Sequence, residues 1–264
     1  MTAQALIDEQ RALWSTRPRE WAQLAEPQNH ALFERLLDLT AAGPGTRLLD
    51  LGCGSGYAAA LAVGRGARVS GVDIAPALLA IARERTPQGD FREAQIEALP
   101  FADGAFDVAT AVNALQFAAE PPLAIAEAAR ALRGGGRFAA AAFAEPERNE
   151  GTVLHLAMKE LSEQGQADGY APYSLSEEGA LTAALSAAGL AVEEEGELPV
   201  VWSYRDAGDA LLALLASAGG ARAVRAAGEP RVREVLDQQL AQFERPDGAI
   251  AIRNVFRYAV AVKR

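Results

Sequence analysis

Leu48-Leu49-Asp50-Leu51-Gly52-Cys53-Gly54-Ser55-Gly56 decides the fold of this chain. A short apolar run containing an acid leads into three alternating glycines, and an alanine-rich stretch follows. Glycine permits positive φ and carries no Cβ, so the backbone turns sharply there and a ligand can lie against it. A strand, a glycine turn and a helix N-terminus form a nucleotide-sized ledge in a doubly wound sheet. The dinucleotide fingerprint G-x-G-x-x-G needs its third glycine at position 57, and that residue is Tyr57. Asp50, two residues before the first glycine, would repel a pyrophosphate and welcome an ammonium group. A second run, Ala67 to Asp73 (ARVSGVD), predicts a strand ending in an acid. Asp73 lies 21 residues after Gly52, the offset at which a carboxylate meets ribose hydroxyls. That offset supports adenosine binding without choosing among nucleotides.

An acid followed by G-x-G-x-G, here Asp50, Gly52, Cys53, Gly54, Ser55 and Gly56, resembles the first motif of the class I S-adenosylmethionine (SAM)-dependent methyltransferases, of the small-molecule, type 11-like kind. Glu97-Ala98-Leu99-Pro100-Phe101, with Asp103-Gly104 and Phe106-Asp107, resembles their segment between strands three and four. Arg133-Gly134-Gly135-Gly136-Arg137 resembles their turn into strand five, with Gly134 in place of the usual proline. The resemblance implies an α/β, Rossmann-like, doubly wound seven-stranded sheet with strand seven antiparallel. It implies SAM as cofactor and S-adenosyl-L-homocysteine (SAH) as product. Asp50 and the Gly52–Gly56 backbone, Cys53 and Gly54 included, would hold the methionine portion and Asp73 the ribose. Ile74 and Ile96 would cover the adenine faces. Many relatives carry an Asp two residues before the Glu of the third segment, accepting from the adenine amino group. Gln95 stands there in this chain, and its amide carbonyl can still accept. Asn113 would add polarity beside the sulfonium. An N-terminal helical segment often folds over the cofactor in this family, which would bring Trp21 near the methionine portion. The plainer reading of Trp21 is core under the first helix.

Composition narrows the partners. The net charge of −10 makes a phosphate backbone a poor ligand, so no nucleic acid is expected. Enzymes that methylate base or glutamine amino groups commonly show Asn/Asp-Pro-Pro-aromatic after strand four, where this chain has Asn113-Ala114-Leu115-Gln116. The first residues, MTAQALIDEQRALW, carry acids and no long apolar stretch, unlike a secretory signal. No apolar run reaches membrane-spanning length, so no membrane partner is expected. A single cysteine, Cys53, suits a reducing cytoplasm. No metal site is read from the sequence.

The chain is expected to form a single domain: an N-terminal helical cap over residues 1–42, a cofactor-binding core over 43–143, and lid segments with strands six and seven over 144–264. Helical periodicity marks 4–15, 28–41, 55–63, 76–85, 123–132, 151–164 and 175–188, the last with Ser176 as N-cap. Strands are expected at 46–51, 67–73, 89–93, 107–112, 138–143, 190–201 and 248–262. Two amphipathic helices are expected between strands six and seven, one carrying Leu211 and Leu214, the other Val232 and Leu236. Glu193 to Glu195 are expected on a solvated face.

Methyl transfer is an in-line displacement at an activated carbon, so the protein mainly aligns the nucleophile and excludes water. A base is needed only when the nucleophile must lose a proton early. His155, after strand five, is the candidate catalytic base, and His30 is a weaker one; a lone histidine is more often structural. Tyr170, Tyr173, Trp202, Tyr204, Phe243 and Phe256 are candidates to line an apolar acceptor pocket, though each alone reads more readily as core. The leading function is methyl transfer to an O, N or C nucleophile of a small molecule. The alternatives are a SAM-binding regulator or a cyclase or decarboxylase in the same pocket, an NAD-dependent oxidoreductase, and a nucleic-acid methyltransferase.

Overall fold

The computed structural model describes residues 3–163 and 173–264. Helix α1 (Ala3–Trp14) and the short α2 (Pro18–Glu20) come first. A π-helical turn (Trp21–Ala25), a 3-10 turn (Glu26–Asn29) and α3 (His30–Leu39) follow. Leu32, Phe33, Leu36 and Leu37 are the buried face of α3, at the three- and four-residue spacing of a core-facing helix. The periodicity predicts a start at residue 28. Pro27 has no N–H to extend the turn before it, and the α-helix begins at His30.

Strands and helices then alternate: β1 (Arg47–Leu51), α4 (Tyr57–Gly64), β2 (Arg68–Asp73), α5 (Pro76–Arg85), β3 (Asp90–Glu93), β4 (Phe106–Val112), α6 (Pro121–Ala131) and β5 (Leu132–Phe143). The second part holds α7 (Thr152–Glu163), α8 (Ala180–Ala187), β6 (Leu190–Tyr204), α9 (Ala207–Leu215), α10 (Ala218–Ala227), α11 (Glu229–Leu240) and β7 (Ile250–Lys263). The seven strands form one sheet in the order β3-β2-β1-β4-β5-β7-β6. β1 to β5 pair in parallel, and β7 runs antiparallel between β5 and β6. This is the doubly wound arrangement expected, with strand seven reversed. Leu48, Leu49 and Leu51 of β1 are buried on both faces, as a central parallel strand between two helix layers requires. Connections leave β1 toward β2 and return to β4, so the sheet's switch point lies at the C-terminal end of β1.

The second half departs from expectation at the start of α8, at α10 and at the end of β6. Helix α8 begins at Ala180 behind Gly179, whose φ of 78° closes the preceding turn, so Ser176 is not its N-cap. Ser176 is buried upstream, where its carbonyl accepts from Arg257 Nε at 3.1 Å. Between β6 and β7 there are three helices rather than two. The additional one, α10, reads Ala-Gly-Gly-Ala-Arg-Ala-Val-Arg-Ala-Ala and lacks the bulky apolar stripe of its neighbours. Small residues serve it instead: a Cβ on Gly220 would lie 2.2 Å from the Leu214 carbonyl oxygen, so α10 packs directly on α9.

Helices α7, α9, α10 and α11 enclose a second apolar core with Tyr204, Ile250 and Ile252, separate from the core beneath the sheet. β6 and β7 reach it because their ladder continues to Tyr204 opposite Ile250, three residues beyond the predicted end of strand six. Glu193, Glu194 and Glu195 lie on the edge strand β6, where Glu193 pairs with Arg137 and Glu194 with Arg35. Charge on an edge strand discourages pairing with another chain. Among the described residues no single helix is long and apolar enough to cross a membrane.

Candidate functional site

A cavity of about 200 Å³ opens at the switch point, over the C-terminal ends of β1, β2 and β4. Its floor is the glycine turn. Gly54 (φ 54°) and Gly56 (φ 76°) are both left-handed, a conformation that costs a side chain. Space is equally restrictive: a Cβ would stand 2.6 Å from Glu26 Oε1 at Gly54, and 2.9 Å from Ala82 Cβ at Gly56. Gly54 therefore faces the cavity, while Gly56 faces α5 and brings α4 against it.

Glu26 is the residue the sequence did not point to. It comes from the 3-10 turn before α3 and is buried over the N-terminus of α4. Ser55 donates to it twice, from its N–H to Oε1 at 3.0 Å and from its hydroxyl to Oε2. Arg85 Nη1 donates to Oε2 at 2.8 Å and also to the Ser55 carbonyl at 2.9 Å, while Nη2 reaches the Ala22 carbonyl at 3.1 Å. Amides at a helix N-terminus above a glycine turn are what a phosphate ordinarily occupies. Here the chain's own carboxylate occupies that place.

Two more acids face the same space. Asp50 ends up buried because β1 is central, and Thr110, its register partner on β4, donates to Oδ1 at 2.8 Å. Burial, with Glu26 and Asp73 nearby, pushes its carboxyl up to about 7. Asp73 accepts the Gly54 N–H at 2.9 Å and the Ala75 N–H at 2.8 Å. Burial raises its pKa despite these donors. Carboxylates crowded this way gain from a cation placed among them. Asn113 turns the chain out of β4 with φ 51°, a conformation that asparagine tolerates, and its Oδ1 accepts from Gln116 Nε2 at 3.1 Å.

Of the residues expected to hold a cofactor, Trp21, Asp50, Gly52, Cys53, Gly54, Asp73, Ile74, Gln95, Ile96 and Asn113 all line this one cavity, and Gly56 does not. Trp21 packs against the end of the first helix and also borders the cavity. Its ring meets Trp14 edge-on at 4.7 Å under α1, and its indole nitrogen would be 3.6 Å from a Cβ on Gly54. The Cys53 thiol is buried, and burial raises its pKa further above the usual range.

The opposite wall comes from the second half of the chain, through Phe143, His155, Trp202, Tyr204, Leu214 and Ser217. His155 packs edge-on to Phe143 at 5.6 Å, and its Nδ1 is 2.9 Å from the Tyr173 hydroxyl, which also bonds Thr152 at 2.8 Å. Burial lowers His155 to about 4 and raises Tyr173 to about 12. The imidazole is therefore neutral at pH 7. The remaining aromatic candidates divide. Trp202 and Tyr204 line the cavity, and Tyr173 supports His155. Phe256 is fully buried beneath Phe143, 4.6 Å between rings, because its strand is internal to the sheet. Phe243 packs on the helical core rather than the cavity. Tyr170 lies outside the described residues. His30 is exposed on α3, 3.3 Å from the Tyr57 hydroxyl and away from the cavity.

A seven-stranded sheet in this order, with a reversed strand seven and an acid-bearing glycine turn at its switch point, defines the Rossmann-like methyltransferase fold. Comparison with known proteins agrees. A family described as a methyltransferase domain matches residues 49–140. A malonyl-[acyl-carrier protein] O-methyltransferase of Serratia marcescens is 39% identical over 103 residues, which is 39% of this chain and 40% of the relative. Another of that name, from Erwinia pyrifoliae, is 30% identical over 178 residues, 67% of this chain and 66% of the relative. The matched part thus spans from 40% to 66% of these relatives' length. The solved structure of the YcgJ protein of Bacillus subtilis superposes with a TM-score of 0.59 over 89% of this chain and 99% of that one; at 20% identity the likeness is one of fold. Residues 49–140 thus match a methyltransferase domain, and the chain as a whole has the fold of the class I SAM-dependent methyltransferases.

Proposed function

We propose that this chain binds SAM in the cavity over β1, β2 and β4 and directs methyl transfer to a small-molecule nucleophile entering from the side of His155. The observation that carries the proposal is the placement of Glu26 on the Ser55 amide with Asp50 and Asp73 beside it. Such a floor suits a nucleoside carrying cationic centres and no phosphate. When bound, SAM supplies a methyl carbon that accepts the nucleophile's electron pair while the sulfonium sulfur keeps the electrons of the broken bond.

The chain's residues supply position and surroundings. Asp50 is proposed to face the cationic amino-acid portion, with Asp73 at the ribose. Ile74 and Ile96 would enclose the adenine, with Gln95 at its edge and Asn113 beside the reacting centre. The aromatic wall excludes water. A neutral His155 is the form that accepts a hydrogen bond or a proton from a hydroxyl or amine nucleophile. The helices of residues 144–264 act as the lid of this one domain.

Calorimetric titration with SAM, SAH and NADH, on wild type and Asp73→Ala, tests the cofactor. SAM and SAH should bind, NADH should not, and Asp73→Ala should weaken both by about tenfold or more. NADH binding, or no binding of SAM and SAH, refutes the reading. Transfer of labelled methyl to candidate acceptors then separates a transferase from a protein that uses the pocket for cyclisation or regulation.

A further inference from the structure

Gln10 is only 2% exposed, and neither its Oε1 nor its Nε2 has a hydrogen-bond partner among the described residues. A buried amide without partners is costly, and such groups are rare in native proteins. Gln10 lines the cavity from α1, together with Leu6, Ile7 and Trp14 on the same helix face. Helix α1 is tied on both sides. Leu13 packs against Ala218 and Ala221 of α10, Glu9 pairs with Arg222 and Arg225, and Arg11 pairs with Glu93 at 2.6 Å. Gln10 is thus held between the lid helix α10 and the β3 edge of the sheet, where turning to water would mean undoing these contacts.

Charge around the cavity is one-sided. Glu26, Asp50, Asp73 and Glu97 line it, and no Lys or Arg does among the described residues. The stretch 164–172 contains no Lys or Arg either. The starts of α4, α5 and α10 at the cavity are answered within the chain: Ser55 N–H donates to Glu26, Ala75 N–H to Asp73, and Gly220 N–H to the Ser217 hydroxyl, which itself donates to Leu214 O. Arg85 answers Glu26 from behind the wall, and no Lys or Arg among the described residues lines the cavity to balance an anion brought beside these acids.

We infer that the acceptor is a largely apolar molecule without negative charge, uncharged or cationic, whose polar group is held by the Gln10 side-chain amide, and that carboxylates and phosphates are rejected. The inference rests on the proposed function for the role of the molecule. An amide, hydroxyl or amine head meets the unpaired ends of Gln10, and the apolar body meets the aromatic wall.

Three probes sharing one skeleton test it: 3-phenylpropanamide, 3-phenylpropylamine and 3-phenylpropanoate. Each is titrated at pH 8 into wild type and Gln10→Met, with and without saturating SAH. The amide and amine should bind wild type at least about tenfold tighter than the carboxylate. Gln10→Met should weaken the amide by about fivefold or more and leave SAH within about twofold. Its melting temperature should hold or rise, since an apolar side chain of similar length replaces an unpaired amide. The inference is overturned if the carboxylate binds as tightly as the amide, if no probe binds, or if Gln10→Met weakens SAH and spares the amide. Failure of SAH to bind wild type counts against the proposed function alone, and the probes on ligand-free protein then decide the acceptor class by the same criteria.

Discussion

Binding of SAM should release a proton from Asp50. The carboxyl stands at about 7 in the free protein because β1 buries it and Glu26 and Asp73 lie near. A cationic ligand needs the ionised form, so binding must first displace the proton when it is present. The affinity penalty is the factor 1 + 10^(7 − pH), about 11 at pH 6 and about 1.1 at pH 8. Affinity should therefore rise about tenfold from pH 6 to pH 8, about 1.4 kcal/mol. The sign follows from the raised pKa: the protonated, weak-binding state dominates below 7 and vanishes above it. Calorimetry at pH 6, 7 and 8, in buffers of low and high ionisation enthalpy, reads both the affinity and the proton count. About half a proton should leave at pH 7. Asp50→Asn keeps the acceptor oxygen for Thr110 and removes the titration, so it subtracts every other group, the ligand's own ammonium included. An affinity that is flat across this range, or the same slope in Asp50→Asn, refutes the reasoning.

Three further outcomes follow from the same geometry. Glu26→Gln should destabilise the fold by about 1–3 kcal/mol in urea denaturation, because Arg85 loses its charged partner at a buried contact. Gly56→Ala should cost about 2–3 kcal/mol by the same assay, since it adds left-handed strain to a clash with Ala82. Cys53 should react with iodoacetamide slowly in native protein and rapidly in denaturant, as mass spectrometry would follow, because its thiol is buried and its thiolate disfavoured.

Local chemistry made much of the fold legible. A strand buried on both faces is a continuous apolar run, and a turn needing positive φ selects glycine, so Leu48 to Gly56 and Ala67 to Asp73 announce β1, β2 and the turn between β1 and α4. Helix α10 escapes the sequence reading because its apolar face is built of alanines and glycines, which close packing selects, rather than of the bulky residues that mark α9 and α11. Ser176 has the chemistry of a cap, but Gly179 starts the helix, and Arg257, 81 residues away, holds the Ser176 carbonyl upstream.

The sequence alone determined strands β1 and β2, the glycine turn and the positions of the acids Asp50 and Asp73, since each depends on neighbours within a few positions, while the order of the sheet came from the family resemblance. Only the tertiary structure decided what closes the site. Glu26 lies 29 residues before Ser55, in a stretch with no motif, and a buried glutamate has the same letter as a solvated one. Gln10 likewise sits in a helical stretch with no motif, and only the packing of α1 against α10 and the β3 edge buries it. Burial and pairing belong to residues distant in the chain, so the environment that shifts Asp50 to about 7 and leaves Gln10 unpaired exists only once the cap, the sheet and the lid have come together.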